Sequence, residues 1–403
     1  MCNLNKKDID KQKKLAFQES AQIVIKVGSR LLLDDDGGGI NIPALEKLVS
    51  EIAKIRSAGK KVILVSSGAV AAGMASLDLT KRPRDMASLQ ACASIGQGKL
   101  MNLYESACQK HGFHTGQLLL SADDLRSRKR YLNLRNCLKA LLANGALPII
   151  NENDSVSIEE ICFGDNDRLA ALVTLMSGSQ LCLLMTSENG LRKRLSTEML
   201  GERIPLVEKL SEKILGQALS EGANPYSTGG MQSKLEAVRI ITSSGEAAWI
   251  ADGRDFSVLS DIGSGKDCGT LFLPGSKSLK NRQRYLAWFT KSRGALTVDN
   301  GAMLALNKGK SLLSKGICKC EGDFSRGDTV EIFNELNELI ARGIVNYNSA
   351  DLSLLCGRHS DEFEKILNGK ALYDEVVHRN NMSLVNLADA TSSEPVVPEN
   401  LKS

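Results

Sequence analysis

Three things are scarce in this chain of 403 residues: uninterrupted apolar sequence, an excess of charge of one sign, and histidine. No stretch reaches the roughly 18 apolar residues that a membrane-spanning helix needs. Even the apolar segment Ala146–Ile150 is bounded by Gly145 and Asn151, so a helical span is excluded. Residues 1–20 carry Lys6, Lys7, Lys11, Lys13 and Lys14 but no apolar core of a signal peptide, so no secretory address is expected. Lys and Arg number 51 against 47 Asp and Glu, a net charge of +4. That balance supports neither a chain-wide nucleic-acid role nor a membrane-surface one. The four histidines form no ligand set: His111 and His114 share a helix end, and His359 and His378 stand alone. No Ser–His–Asp or Cys–His spacing stands out for nucleophilic catalysis. Cysteine is not scarce, at ten, but it is scattered singly, as at Cys92, Cys108, Cys137, Cys162 and Cys182. Such residues, and the Cys318 and Cys320 pair, read as small core side chains in a reducing compartment rather than as disulfides or zinc ligands. A cytoplasmic location is the expectation, and no internal repeat is visible.

What the chain does have is an ordinary globular composition, 42% hydrophobic and 24% charged. At roughly 150 residues per domain, two or three domains are expected. Short β-branched runs alternate with helical patterns. Gln22–Val27 reads as a buried strand, and Leu45, Leu48, Val49, Ile52 and Ile55 recur at helical spacing until Gly59. Strands are then expected at Lys61–Val65, Gln117–Leu120, Ala146–Ile150, Leu181–Met185 and Ala247–Ile250. Helices fall between them, around Leu89–Cys108, Asn133–Ala143, Asp167–Met176 and Met231–Ile241. Repeated strand–helix–strand units predict an α/β fold, an αβα sandwich with a mostly parallel central sheet. The alternation stops near Pro274, where Lys277, Lys280, Arg282, Arg284 and Lys291 cluster. Beyond it, Leu296–Val298, Gly316–Cys320, Thr329–Ile332 and Ile344–Val345 predict short strands of a small, mainly-β module. The expected division is an N-terminal tail 1–20, an α/β domain 21–280, a linker 281–292, a β module 293–382 and a C-terminal tail 383–403.

Open parallel sheets bind ligands at the carboxyl ends of their strands, and four loops there are unusual. Ile25-Lys26-Val27-Gly28-Ser29 ends a strand with a lysine beside a glycine. It suits an anion whose phosphates the backbone can approach, or it is an edge lysine next to a turn. Ser66-Ser67-Gly68 leads into the small residues Ala69–Gly73. Its free N–H groups could meet a carboxylate, or a serine could simply cap an Ala-rich helix. Asn151-Glu152-Asn153-Asp154 and Gly164-Asp165-Asn166-Asp167 supply short amides and carboxylates about a dozen residues apart. Such groups can hold an ammonium and orient lysines, with Asx turns and a helix cap as the plainer readings. Ser227-Thr228-Gly229-Gly230-Met231-Gln232-Ser233-Lys234 has the mechanics of a phosphate cradle, or of a loop before an exposed helix. A true Walker loop is absent, since the only Gly-Lys-Ser, at Gly309–Ser311, has Leu304 where the first glycine belongs.

These loops, in this order on this scaffold, resemble the glutamate 5-kinases of the amino acid kinase family. Gly322-Asp323-Phe324-Ser325-Arg326-Gly327 and Val345-Asn346-Tyr347-Asn348-Ser349 are similar to the PUA domain that follows in many members. The resemblance implies ATP-dependent phosphorylation of the side-chain carboxylate of L-glutamate to L-glutamyl 5-phosphate, the first step of proline biosynthesis. It assigns Lys26, Lys234 and Asp167 to catalysis, and Ser67, Gly68, Asn151, Asp154 and Asn166 to the amino acid. ATP contacts fall to Lys26, Gly28, Thr186, Ser187 and the run Thr228, Gly229, Gly230, Met231, Gln232, Ser233 and Lys234. It further implies Mg²⁺ carried on the ATP phosphates with no metal ligands of the protein's own, proline as feedback inhibitor, a homo-oligomer, and a separate glutamyl phosphate reductase downstream. The chain departs from the family at Thr186-Ser187, where Thr-Asp is common. It departs again at Gly190–Arg194, which replaces an Asp-Pro-containing segment.

Two other readings stay in view. One is a different amino acid kinase, for N-acetylglutamate or aspartate, against which the β module argues. The other is an RNA-binding or regulatory protein acting through that module. Between Arg293 and Arg379 there are 11 Lys or Arg and 13 Asp or Glu, so generic affinity for a phosphate backbone is not expected.

Overall fold

The computed structural model describes residues 5–34, 39–156, 166–194, 200–211, 214, 230–275, 281–290, 292–369 and 373–384. The chain divides into two compact units, Met1–Ser278 and Leu279–Ser403.

In the first unit the strands are β1 (Gln22–Val27), β2 (Lys61–Val65), β3 (Thr115–Leu120), β4 (Leu147–Glu152), β5 (Leu181–Thr186), β6 (Arg192–Arg194), β7 (Leu200–Arg203), β8 (Leu206–Val207), β9 (Ala247–Asp252) and β10 (Thr270–Phe272). Eight of them form one sheet, ordered β3-β4-β2-β1-β5-β9-β10-β8, and β6 pairs with β7 alone. Every pairing in the large sheet is parallel except β9 with β10. The helices are α1 (Lys6–Gln18), α2 (Ile42–Ser57), α3 (Ala69–Ser76), α4 (Met86–Gln109), α5 (Ala122–Arg126), α6 (Arg128–Ala143), α7 (Asn166–Ser177), α8 (Met231–Ser243) and α9 (Val258–Ser264).

Strand alternation assigns the two faces. Ile23, Ile25 and Val27 share a core with Leu45, Leu48 and Ile52 of α2 and with Leu100 and Tyr104 of α4. The intervening residues, Val24 and Lys26, turn to the opposite face, where α7 packs on β1 and β5, and α8 packs on α7 and β9. A sheet covered on both faces needs apolar residues at nearly every strand position, and β1, β4, β5 and β9 are each buried at five of six positions. The one charged residue among those buried positions is Lys26.

Helices α3 and α4 cross with almost no space between them. A Cβ on Gly73 would lie 1.8 Å from the Cys92 carbonyl oxygen, and one on Gly96 would lie 1.8 Å from that of Ala69. The crossing fixes the start of α3, and with it the Ser66-Ser67-Gly68 turn.

Residues expected as an N-terminal tail instead include helix α1. Its lysines disguise an amphipathic pattern in which Phe17 and even Lys13 are buried. The Lys13 ammonium reaches Asp267 at 2.6 Å and the carbonyls of Cys268 and Gly269 at 3.1 and 3.3 Å, and lies 5.5 Å from the Trp249 ring centroid. The hydrogen-bond partners are over 250 residues away, which is why no local pattern announces them. Cys137 and Cys318, expected as core, are exposed, while Cys92, Cys108 and Cys182 are buried; Cys162 lies outside the described residues.

The second unit opens with a helix, α10 (Asn281–Trp288), where a linker is expected. Strands β11 (Gly294–Val298), β12 (Ile317–Gly322), β13 (Thr329–Phe333), β14 (Leu339–Ile344) and β15 (Met382–Leu384) form a sheet ordered β12-β11-β13-β14-β15. The expected strand Ile344–Val345 catches only the last residue of β14. Arg342 and Gly343 break its apolar pattern, yet Arg342 sits opposite Glu331 on β13 and pairs with it at 2.7 Å. Leu296, Val298, Val330, Ile332, Leu352 and Phe363 build a separate core. Most of the expected C-terminal tail, residues 385–403, lies outside the described residues.

Candidate active site

Register brings the loops together. Lys26 lies opposite Val65 of β2 and Leu184 of β5, and Val65 lies opposite Ile150 of β4. The chain therefore leaves β4, β2, β1 and β5 at one level of the sheet. Across it the loops run Asn151 to Asp154, Ser66 to Gly68, Lys26 to Gly28, then Thr186 and Ser187.

At the centre is a buried carboxylate between two lysines. Asp167, the second residue of α7, receives Lys26 Nζ at 2.7 Å on Oδ1 and Lys234 Nζ at 3.0 Å on Oδ2. The side chains come from three elements, since Lys234 stands in the first turn of α8. Solvent reaches almost none of them: Asp167 is 0% exposed, Lys26 4% and Lys234 6%. Burial pushes the Asp167 carboxyl up, but the two ammonium charges and their hydrogen bonds outweigh it and hold the group below the usual carboxylate range. Two ammonium groups thus converge on one carboxylate, and cations placed together in this way suit an anionic ligand beside them. Ser233 Oγ is 3.4 Å from Asp167 Oδ2, on the same side as Lys234.

Two glycines keep the approach open. Gly28 lies beside the cluster, where an added Cβ would stand 3.8 Å from Lys26 Nζ, in ordinary contact with it. Gly68 has φ +103°, a backbone conformation other residues rarely adopt, and it caps the start of α3.

Beside this cluster the short polar residues are joined into one network. Asn166 Nδ2 shares its two N–H groups among three acceptors, Ser66 O at 2.8 Å, Ser67 Oγ at 2.7 Å and Asn151 Oδ1 at 3.0 Å. Asn151 Oδ1 also accepts from the Glu152 N–H, and Asn151 Nδ2 donates to Gln97 Oε1 at 3.0 Å. Ser66 Oγ lies 2.9 Å from the Tyr104 hydroxyl. Asp154, half-buried just past β4, has its carboxyl raised to about 6 by desolvation and by the neighbouring Glu152 charge, against an opposing pull from Arg82.

Thr186 ends β5, and its carbonyl accepts from the Gly253 N–H at 2.7 Å; Ser187 follows it, partly buried. Gly230 caps α8, with Met231 partly buried and Gln232 exposed in its first turn. Thr228 and Gly229, like Gly164 and Asp165, lie outside the described residues. Among the described residues no group of three or more His, Cys, Asp or Glu side chains is placed to hold a metal, and no helix is long and apolar enough to cross a membrane. Sequence reading passes over Gln97 and Tyr104, and gives Ser66 a place in its turn but no role at the site. Gln97 sits between Gly96 and Gly98 in a helix of small residues and gives no signal there beyond its polarity.

The model of the amino acid kinase family matches residues 21–252, and that of the PUA domain matches residues 294–367. A glutamate 5-kinase of Trichlorobacter lovleyi is 43% identical over 371 residues, covering 92% of this chain and 98% of that protein. The glutamate 5-kinase of Caldanaerobacter subterraneus subsp. tengcongensis is 42% identical over 90% of this chain and 97% of its own length. That of Syntrophus aciditrophicus is 40% identical, over 90% and 94%. With family and domain models in this order and relatives matched along nearly their full length, the chain belongs to the amino acid kinase family, in the group formed by these glutamate 5-kinases.

Proposed function

We propose that this chain transfers the γ-phosphoryl group of ATP to the side-chain carboxylate of L-glutamate, giving L-glutamyl 5-phosphate, the first step of proline biosynthesis. The observation that carries the reading is the Asp167 carboxylate holding Lys26 and Lys234 out of water.

Phosphoryl transfer asks little covalent chemistry of a protein; it asks for positioning and for charge placed around the group in flight. Lys26 and Lys234 supply that charge from two sides, and Asp167 sets their separation. The acceptor is a carboxylate with an ordinary pKa of about 4.3, so it is already ionised at neutral pH and needs no general base. Gly28 and Gly68 give backbone N–H groups room to meet the phosphates and the reacting carboxylate. Ser67 accepts from Asn166 and so keeps its own hydroxyl proton to donate to the substrate. Asp154, Asn166 and Asn151 hold the α-amino and α-carboxylate end. Thr186, Ser187 and the segment from Thr228 to Lys234 hold the nucleotide. Mg²⁺ would be carried on the ATP phosphates, where it would neutralise part of their charge. The product, an acyl phosphate, hydrolyses readily and is passed to a reductase.

The test is ATP-dependent trapping of the acyl phosphate with hydroxylamine, comparing glutamate, N-acetylglutamate and aspartate. Hydroxamate from glutamate is expected to dominate; preference for N-acetylglutamate would remove the role of Asp154, because an acetylated amine carries no charge to pair.

A pH dependence follows from Asp154. Its carboxyl is raised on folding, so the folded chain binds that proton more tightly, and this contribution to stability is lost as pH rises through about 6. An arriving ammonium offsets the loss by pairing with the ionised form. The KM for glutamate is therefore expected to rise about tenfold per pH unit below about 6, with the KM for ATP much flatter. Asp154→Asn should abolish that slope.

A further inference from the structure

We infer that Gln97 is a positioning residue for the amino-acid substrate, acting through Asn151 on Asn166. The inference rests on the reading of this network as the amino-acid subsite. Gln97 is 8% exposed and lies on α4, a helix that contributes none of the residues assigned above to substrate or nucleotide. Its role follows from the two unlike ends of a carboxamide. Asn151 Oδ1 meets the Glu152 N–H at 2.9 Å and Asn166 Nδ2 at 3.0 Å, which leaves Asn151 Nδ2 pointing the other way, and Gln97 Oε1 is the acceptor that meets it there at 3.0 Å. Asn166 is then fixed as well. Its nitrogen faces Ser66, Ser67 and Asn151, and its Oδ1 is the end turned away from them, an acceptor for an ammonium.

Reversing Asn151 would set its nitrogen against two donors, and Asn166 could not follow, because the Ser66 carbonyl holds its nitrogen; a loosened Asn151 therefore loosens Asn166 with it. Backbone groups at Glu152 and Ser66 thus set the polarity of the two amides, and the Gln97 oxygen on α4 completes the series by taking the Asn151 nitrogen. The same helix meets the following loop again through Ser94 Oγ and Ser155 Oγ, 3.0 Å apart, so α4 holds this loop at two points.

The experiment measures kcat and both KM values for the full-length chain, Gln97→Met and Gln97→Glu. Methionine keeps the length and removes the acceptor; glutamate keeps an oxygen in place whether or not it is protonated. Gln97→Met is expected to raise the KM for glutamate about tenfold, the effect of one buried donor left unpaired, with the KM for ATP within about twofold of wild type. Gln97→Glu should restore the KM for glutamate. An unchanged KM for glutamate in Gln97→Met would overturn the inference. So would equal rises in both KM values with a lowered melting temperature, which mark a structural role only. A wild-type chain acting on a different amino acid would sink the glutamate reading, while the same ratio measured with that amino acid still decides the role of Gln97.

Discussion

Asp167→Ala is expected to lower turnover by more than about 10³-fold and to cost about 3–5 kcal/mol of stability, the penalty of leaving a buried charge without its partner. Lys26 and Lys234 are almost wholly out of water, and Asp167 lies within 3.0 Å of both. Without it, two ammonium groups face each other in a medium that screens them poorly. They must separate, and the positions proposed for them around the transferred phosphoryl group go with them. Removing one lysine instead leaves a neutral pair, so Lys26→Ala and Lys234→Ala should each lower turnover by only about 10²–10³-fold and melt closer to wild type. The sign with pH is fixed by the same geometry. The Asp167 pKa is depressed on folding, so its stabilisation is complete above the ordinary carboxylate range and is lost as pH falls through the lower folded value. Steady-state turnover and thermal melts of the three variants check this. An Asp167→Ala enzyme that turns over and melts like a lysine variant would refute the bridging role.

How legible this site is from sequence depends on how locally each signal is written. The apolar runs of β1, β2, β4 and β5 are dense enough to place strand ends, and Lys26, Ser67 and Asn151 follow directly from those ends. The register that levels the ends, and the turn of α7 that raises Asp167 between two lysines from different strands and helices, are properties of packing alone. Gln97 illustrates the gap. A glutamine between two glycines carries no signal beyond its polarity, and its burial against Asn151 of β4 comes from packing of elements distant in sequence. Helix α1 errs in the same direction, because five lysines in fourteen residues read as a tail until Asp267 and Trp249 supply the partners that bury Lys13. In the C-terminal unit, β14 is hidden by Arg342, a charge that its neighbour Glu331 makes tolerable. In these three cases a polar or charged residue is placed by a partner on another element, which no local pattern shows.

The α3–α4 crossing yields the second large effect. Gly96→Ala places a methyl group where the Ala69 carbonyl oxygen stands, 1.8 Å away, with the Gly73 nitrogen at 2.3 Å. Both obstacles are backbone, so no side chain can swing aside and the helices themselves must part. Overpacking of that kind costs roughly 3 kcal/mol or more, a fall of about 6–12 °C in melting temperature for a unit of this size. Gly73→Ala meets the Cys92 carbonyl at the same 1.8 Å and should behave alike. Gly98 provides the control, two residues further along the same helix with nothing within 4 Å of an added Cβ. There alanine only removes the flexibility of glycine and should raise stability by up to about 1 kcal/mol. The crossing also joins the Ser67-Gly68 turn at the start of α3 to Gln97 on α4, so parting the helices disturbs the amide network from both ends. Gly96→Ala is therefore expected to raise the KM for glutamate even below its melting transition, whereas Gly98→Ala leaves it alone. Equal melting temperatures for the two variants would mean that the close approach does not hold the helices together.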